Sequence, residues 1–554
     1  MVEQAKLMKQ NLLSFCRHNK TVYCYGAGVW ADILRIFLEN NDISISAYYV
    51  SDSQSLPYST QWDTPIRHAN ELKGEEGYGL ILGLGENYQK DILFSLNTNK
   101  KNIFAISEIL IKEIMNEYRD IIRSRQIQDM LFFNMPDVVP VEGQFDTYEN
   151  RIQEFMDKYN KIEILFANSG TVGILQMELI CWKKYYQKED DTFYLLQTTQ
   201  VKNPYINSYT EPNEYIIRRF KGHNFTTLSL QDLPFWKYFA KKYSTFFEWN
   251  SKYNLDRLIE TCVRELHLRT YFDKKRAFIS FSKDEEVKGQ QALETMGVEG
   301  NFVCVFNRDG GYYKKKLDGF SQRHQIMDYY RSSRIDDFRK ATDFLQTERI
   351  MSIRVGSIVE EPSDFASLIE YARLYHDDFM DVYLAKKCLF FLGDSSGVNF
   401  FYSLFSKPMV ITNYPLITTH YEGVYPHDIE RDLILYHKFW DKNKQRYLNL
   451  SEILEIEEYC LDKPFVASGS VRIWEEYYRR GIVPISNTKE EIRQAAKEMI
   501  EKIRGTVQYS GQDEELQAKF WNILYPYIQR NKKVIWCNAR VARYFLRENL
   551  WLTQ

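Results

Sequence analysis

The sequence predicts an α/β protein built from three open, largely parallel sheets, and three observations carry that prediction. Short apolar runs end repeatedly in Gly- or Ser-rich turns, amphipathic segments at helical spacing follow those turns, and 554 residues are too many for a single core. A continuous apolar run bounded by Gly is the pattern of a strand buried on both faces. A succession of strand, turn, helix and strand is the crossover unit of a parallel sheet.

The first such unit opens near the N-terminus. Thr21 to Tyr25 reads as a strand, Gly26-Ala27-Gly28-Val29-Trp30-Ala31 as the turn, and the next stretch to about Asn40 as a helix. A second strand, Ile45 to Val50, runs into Ser51-Asp52. This is the G-x-G-x-x-G/A fingerprint in its strand-to-helix context, with an acid roughly 20 residues further on, where a ribose hydroxyl would be met. With another strand, Gly79 to Gly83, and a helix from about Tyr88, residues 1–115 read as a Rossmann-like module. Gly26, Gly28 and Asp52 suit a nucleotide, a nucleotide sugar or NAD. Equally, the two glycines alone serve the tight turn and the close packing of helix on strand. Residues 116–160 are charged, helical in pattern and broken by Pro136 and Pro140, and read as a connector.

The grammar repeats at Lys161, with a strand, Ile162 to Ala167, a turn, Asn168-Ser169-Gly170-Thr171-Val172-Gly173, an amphipathic helix and the strand TFYLLQTT. Residues 161–298 are the second domain on this reading and 299–554 the third. In the third, the strand Phe302 to Phe306 delivers Asn307, Arg308 and Asp309. A helix over Asp336 to Gln346 precedes the strand IMSIRVGS, which delivers Arg354 and Gly356. Then come a strand over Cys388 to Leu392, the turn Gly393-Asp394-Ser395-Ser396-Gly397, a helix over Val398 to Ser406 and a strand over Met409 to Thr412. Phe520 to Gln554 is expected to be helical.

Two successive open α/β domains imply a crevice between them, since ligands bind outside the carboxyl ends of such strands. Arg308, Arg331 and Arg354 near the strand ends, together with Ser395, Ser396 and Gly397, describe a diphosphate site, because Arg grips phosphate bidentately and never loses its charge. A solvated or ion-paired surface role is the alternative for each arginine.

Composition removes other classes. Lys and Arg number 72 against 75 Asp and Glu, with no long basic block, so nucleic-acid binding by bulk charge is not expected. The eight cysteines are scattered with no C-x-x-C, which argues against a zinc site or a disulfide framework and for a reducing compartment. No Asp-x-Asp of the metal-dependent transferase type is present; Glu189-Asp190-Asp191 and Asp377-Asp378 read as surface or helix-capping acids. The opening MVEQAKLMKQNLLSFCRHNK lacks a signal-peptide pattern, and no apolar stretch approaches the roughly 20 residues of a membrane helix. The expectation is a cytoplasmic protein, with peripheral docking at the inner face of the membrane left open.

The segments FVCVFNRDGGYY, YYRSSRIDDFRKATDFL, SIRVGS, DDFMDVYLAKKCLFFLGDSSGVNFFYSLFSKPMVITN, YYRRGIVPISNTKEEIRQAAKEM and ARVARYFLREN, in that order over about 300–550, resemble a family of bacterial glycosyltransferases. That family is of the two-Rossmann GT-B type and is associated with surface-polysaccharide or flagellar glycan gene sets. The first domain resembles Y-G-A-G Rossmann modules attached to sugar-modifying enzymes. The resemblance implies that the last two domains form a GT-B enzyme, with the acceptor in the second and the nucleotide-sugar donor in the third. It implies no required cofactor or metal, and a glycan, lipid-linked or protein acceptor.

Carried over, Arg308, Arg331 and Arg354 would hold the pyrophosphate, Ser395, Ser396 and Gly397 would add donors, and Asn413 would line the sugar or base pocket, with Tyr312 and Gly356 also on the donor side. Asn168, Ser169, Gly170 and Glu178 would face the acceptor. Asp309 is the first choice for an acid/base role, the alternative being an Asp that orients Arg308. Two other readings stay open: a nucleotide-sugar epimerase or hydrolase of the same fold, and a non-catalytic scaffold that senses nucleotide sugars. An oxidoreductase reading would rest on Gly26-Ala27-Gly28 alone.

Overall fold

The computed structural model describes the chain except residues 1, 52–59, 62–63, 75–76, 97–101, 123, 126–142, 167–190, 198–212, 221–223, 229–230, 250–278, 312–321, 404, 416, 420–428, 462–468, 531–534 and 537–538. The fold is α/β, with several parallel sheets of Rossmann-like build. It divides into two compact units, one of 1–166, 189–209 and 222–251, the other of 167–188, 210–221 and 252–554.

The first unit holds two sheets. In the N-terminal one, five parallel strands stand in the order Thr64–His68, Ala47–Val50, Thr21–Tyr25, Tyr78–Leu82, Ile103–Ala105, with a short antiparallel Thr60–Gln61 at the edge. Alternation along the strands divides its core. Val22, Cys24, Tyr48 and Ile81 pack with residues of the helices Val2–His18, Val29–Glu39 and Glu108–Glu117, whereas Tyr25, Ala47, Tyr49, Leu80 and Leu82 form a separate cluster with Leu72 and Leu96. The other sheet has four parallel strands in the order Phe247–Trp249, Lys161–Phe166, Thr192–Gln197, Phe225–Leu228. Its core is aromatic: Trp236, Phe239 and Phe235 from the helix Leu233–Lys242 meet Phe193 and Phe247. The second half of the expected connector is the helix Gln144–Lys158, and its Ile152, Tyr148 and Phe155 belong to this same core.

In the second unit, six parallel strands stand in the order Met351–Arg354, Phe302–Phe306, Phe391–Asp394, Met409–Tyr414, Leu433–Tyr436, Arg540–Val541. The strand Phe302–Phe306 lies where its apolar run predicts. The expected strand over Cys388 to Leu392 is displaced: Lys387 ends a helix, Asp378–Lys387, Cys388 caps it, and the strand runs on to Asp394. Gly393 permits this, because it pairs with Phe306 so closely that a Cβ would lie 2.2 Å from the Phe306 carbonyl oxygen. The helix after the turn is short, Asn399–Ser403, not Val398 to Ser406. The C-terminal segment, expected to be helical throughout, follows the helix Gly511–Arg530 with two short strands, of which Arg540–Val541 completes the six-stranded sheet.

Helix ends follow local chemistry. Ser282 and Glu285 form a capping box at Lys283–Thr295, and Thr488 and Glu491 another at Lys489–Ile503, which packs on Arg339–Thr347. Asp377 caps Asp378–Lys387 through the Met380 amide, the role expected of that acidic pair. Cys16, Cys24, Cys304, Cys388 and Cys460 are buried free thiols. Among the described residues no helix is long and apolar enough to cross a membrane.

Candidate functional site

The six-stranded sheet reverses its winding between Phe302–Phe306 and Phe391–Asp394, the first and third of its strands in chain order. At such a reversal the following loops diverge and leave a crevice outside the strand carboxyl ends, which is where open α/β sheets take ligands. The loops here are Asn307-Arg308-Asp309 and Ser395-Ser396-Gly397, so Arg308 and the serine turn of the expected donor site start from one place.

A third loop joins them. Ser333 donates its backbone N–H to the Arg308 carbonyl at 2.8 Å, and Asn307 donates its side-chain amide to the Ser333 carbonyl at 3.2 Å. The same loop begins with Arg331, whose Nη2 donates to the Ser395 carbonyl at 3.4 Å and whose guanidinium carbon lies 5.5 Å from the centre of the Trp474 ring. Arg308 Nη2 is 3.5 Å from Asp328 Oδ1. One guanidinium, that of Arg331, therefore reaches the serine turn, and a second, that of Arg308, starts from the facing strand end and is paired with Asp328.

The turn is rich in buried polar groups. Ser395 and Ser396 are 3% and 8% exposed, and Asn399, one turn on, is 0% exposed. The Ser395 hydroxyl and both atoms of the Asn399 amide make no hydrogen bond within the fold. Such a group costs about 1–3 kcal/mol in a protein interior, and exceptions of this kind ask for an explanation. The helix behind the turn has only five residues, so its dipole adds little there.

Asp394 was expected as part of the turn and is instead the last residue of the strand. It is 1% exposed, and it accepts hydrogen bonds from the Arg308 N–H, Thr412 Oγ1 and Asn413 Nδ2, each at 2.8 Å, and from Ser333 Oγ. Burial pushes its carboxyl up to about 6 while the donors pull the other way. Two strands away, just past the end of Leu433–Tyr436, His437 is buried, and desolvation pushes its imidazole down to about 4.

Other expected site residues are placed differently. Arg354 is 1% exposed; its Nη1 donates to Glu370 Oε1 at 3.0 Å and the Glu361 carbonyl at 2.7 Å, and its Nη2 to Asn307 Oδ1 at 2.9 Å. Its terminal nitrogens are thus engaged inside the fold. Asp309 accepts from the Gly311 N–H at 3.1 Å and the Glu360 N–H at 2.9 Å, and lies 3.6 Å from Arg354 Nη2, so it ties two loops together. Gly356 is buried against the Phe306 ring. Asn413 is 1% exposed, and its amide is held by Asp394 and by Asn487, whose N–H it accepts at 2.7 Å. Tyr312, Asn168, Ser169, Gly170, Glu178 and Asp52 lie outside the described residues.

In the N-terminal module Gly26 holds φ +99, and a Cβ there would approach the Gly83 carbonyl oxygen to 3.1 Å, so the fold itself requires this glycine. Gly28 is exposed, and a Cβ there would meet nothing within 4 Å. The sheet reverses between Thr21–Tyr25 and Tyr78–Leu82, directly below both.

Asn307, Asn399, Ser333 and Asp394 were not singled out as site residues. Asn307 had a usable signal, since it directly follows a buried strand. Asn399 did not, because an Asn near a helix start is first read as a cap.

No family model matches the chain, and no curated protein matches it. Among solved structures, the N-terminal domain of Candida albicans trehalose-6-phosphate phosphatase is similar at 9% identity over 88% of this chain and 97% of that one, with a TM-score of 0.17, too slight a likeness to carry an argument.

Proposed function

We propose that the chain is a nucleotide-sugar-dependent glycosyltransferase of the GT-B type, acting in bacterial surface-glycan synthesis on a glycan, lipid-linked or protein acceptor. Its donor diphosphate sits at the crevice between the Phe302–Phe306 and Phe391–Asp394 strand ends. The observation that carries the reading is that Arg331 reaches the Ser395 carbonyl beside the unsatisfied buried Ser395 hydroxyl and Asn399 amide, with Arg308 leaving the adjacent strand end, at the point where the sheet reverses. Two fixed positive charges suit a pyrophosphate, and the hydroxyl and amide add donors. Cleavage of the sugar–phosphate bond leaves a nucleoside diphosphate, and preorganised guanidiniums stabilise the charge that develops on it. Arg354 and Asp309 have no direct part in this version: both hold loops. The base that deprotonates the acceptor then comes from elsewhere.

The test is thermal stability against UDP-, GDP-, CDP- and dTDP-sugars and NAD(H), with EDTA and with magnesium, for wild type and Arg308→Ala. A bound donor at about 100 times its Kd should add roughly 2.7 kcal/mol to wild type and little to the variant. Equal stabilisation of both proteins by a nucleotide sugar would sink the placement, and a response to NAD(H) alone would move the search to the N-terminal module.

A further inference from the structure

We propose that Asp394 is a positioning residue for the donor site, setting the places of the Arg308 and Arg331 loops through its hydrogen bonds. The proposal rests on the donor-site reading above. An ionised carboxylate has about four acceptor positions, and here four donors fill them: Arg308 N–H and Ser333 Oγ on one oxygen, Thr412 Oγ1 and Asn413 Nδ2 on the other. A charge in a sheet interior is costly, and apolar residues would fill the position at less cost. What the carboxylate adds is geometry. Its donors come from the ends of the strands on both sides of its own and from the separate loop at Ser333.

Arg308 is held by its main chain, so Asp394 determines where that side chain begins. Ser333 is held by its hydroxyl, and its N–H and carbonyl close onto Arg308 and Asn307, which anchors the loop two residues after Arg331. Asn413 sits at φ +48, a conformation non-glycine residues seldom adopt, pinned between Asp394 and a reciprocal pair of bonds with Asn487 at 2.6 and 2.7 Å. Asp394→Asn keeps the shape but turns one acceptor edge into a donor facing donors, and so loosens three loops at once. A displacement of about 1 Å in such groups costs on the order of 10²-fold.

Among the described residues, the charged groups on the elements packed around Asp394 are Arg308 with Asp328, Asp309 with Arg354, Arg331, and Arg334 with Asp337, whose carboxyl burial also raises. His437, whose N–H bonds the Tyr414 carbonyl, stays neutral down to about 4. A loss of affinity near about 6 in wild type that is absent from Asp394→Asn therefore reports Asp394.

The experiment measures Kd by calorimetry for UDP-glucose, GDP-mannose, CDP-glucose and dTDP-glucose, whose pyrophosphates do not titrate in this window, between about pH 5 and 8. Wild type, Asp394→Asn and Ser333→Ala are compared, with ligand-free melting as the check on folding. Wild type should lose affinity for its nucleotide sugar as pH falls through about 6. Asp394→Asn, where it folds, should bind on the order of 10²-fold more weakly and show no pH dependence; Ser333→Ala should fall between. An Asp394→Asn protein that binds as tightly as wild type with the same pH profile overturns the proposal. If that variant does not fold, an unchanged Kd for Ser333→Ala overturns it instead. Should wild type bind none of the four, the donor-site reading falls and the positioning role with it, an outcome separate from a variant that matches a binding-competent wild type.

Discussion

Two sheets of this chain reverse their winding in the same way and present different chemistry at the reversal. In the N-terminal sheet the strands Thr21–Tyr25 and Tyr78–Leu82 open into Gly26-Ala27-Gly28 and Gly83-Leu84-Gly85, so the crevice is lined by backbone. In the six-stranded sheet the corresponding strands open into Asn307-Arg308-Asp309 and Ser395-Ser396-Gly397, and Arg331 reaches in from a third loop. Topology places a crevice in both; only side chains distinguish what each can hold. A backbone-lined turn can meet a ligand through N–H groups wherever it is left room. The second crevice offers guanidiniums with unsatisfied buried hydroxyl and amide groups, chemistry that suits an anion on the function proposed above, and internal carboxylates lie beside them.

The sharpest difference lies in how much the second crevice depends on close backbone approach. Gly393→Ala would put a Cβ 2.2 Å from the Phe306 carbonyl oxygen, with no flexible side chain to give way. Loss of more than about 3 kcal/mol is expected for the unit that contains it, read from urea unfolding. A variant that unfolds with wild type would mean that the two strands can part without cost, and the geometry drawn around Arg308 would lose its footing.

Next comes the division of labour among arginines. Arg354→Ala leaves Glu370 and Asn307 without their buried partner and should cost about 3–5 kcal/mol, yet the folded fraction should bind its nucleotide sugar as wild type does. Arg308→Ala should do the reverse, with modest loss of stability and loss of the ligand's contribution. Were Arg354→Ala the variant that bound more weakly while melting normally, the two arginines would have to exchange roles.

The six-stranded sheet also carries opposed titrations at its strand ends. His437 is held below its ordinary 6.5 at about 4, so the unfolded chain binds more protons between those values and acidification across them destabilises. Asp394 is held above its ordinary 3.8 at about 6, so the folded chain binds more protons in that interval and rising pH destabilises. Each effect is on the order of 3 kcal/mol, and between about pH 4 and 6 they oppose one another, which predicts a nearly flat stability profile for wild type from this pair. His437→Gln should expose a fall in stability as pH rises from 4 to 6, and Asp394→Asn a fall as pH drops from 6.5 to 4. Denaturant melts of the three proteins at pH 4, 5 and 6 check the signs; parallel profiles would remove both residues from the account.

Much of this architecture could be read in the chain itself, for a physical reason. Phe302–Phe306 and Thr21–Tyr25 are apolar runs closed by polar or Gly turns, and a doubly buried strand needs no more than that to declare itself. The crevice was legible because the residues after those strands are local information. Asp394 was not, since an acid before two serines has the look of a helix start, and its actual partners stand at 308, 333, 412 and 413. Nor does any spacing rule link Arg354 to Glu370 and Asn307, whose hold on it turns an expected phosphate ligand inward. Arg540–Val541 is two residues long and gains its strand identity from Leu433–Tyr436, far away in sequence.

The smallest expected effect concerns the other crevice and decides what its glycines are for. Gly26 is demanded by backbone geometry, because its φ of +99 is one that L side chains rarely adopt. Gly28 is not: its φ is −99 and ψ −162, ordinary extended backbone, and open space surrounds the direction a Cβ would take. Gly28→Ala should therefore leave stability within about 0.5 kcal/mol of wild type, a lost helix cap offset by a less disordered unfolded chain. A residue that the fold does not need to be glycine is free to be glycine for a ligand's sake. Calorimetric titration of wild type with NAD(H) and with ADP, repeated on Gly28→Ala, tests that. Binding by wild type that the methyl group weakens by tenfold or more would make the N-terminal turn a nucleotide site resting on backbone approach. Identical titrations would leave Gly26 as the structurally required glycine of the pair and give Gly28 no part in a nucleotide site.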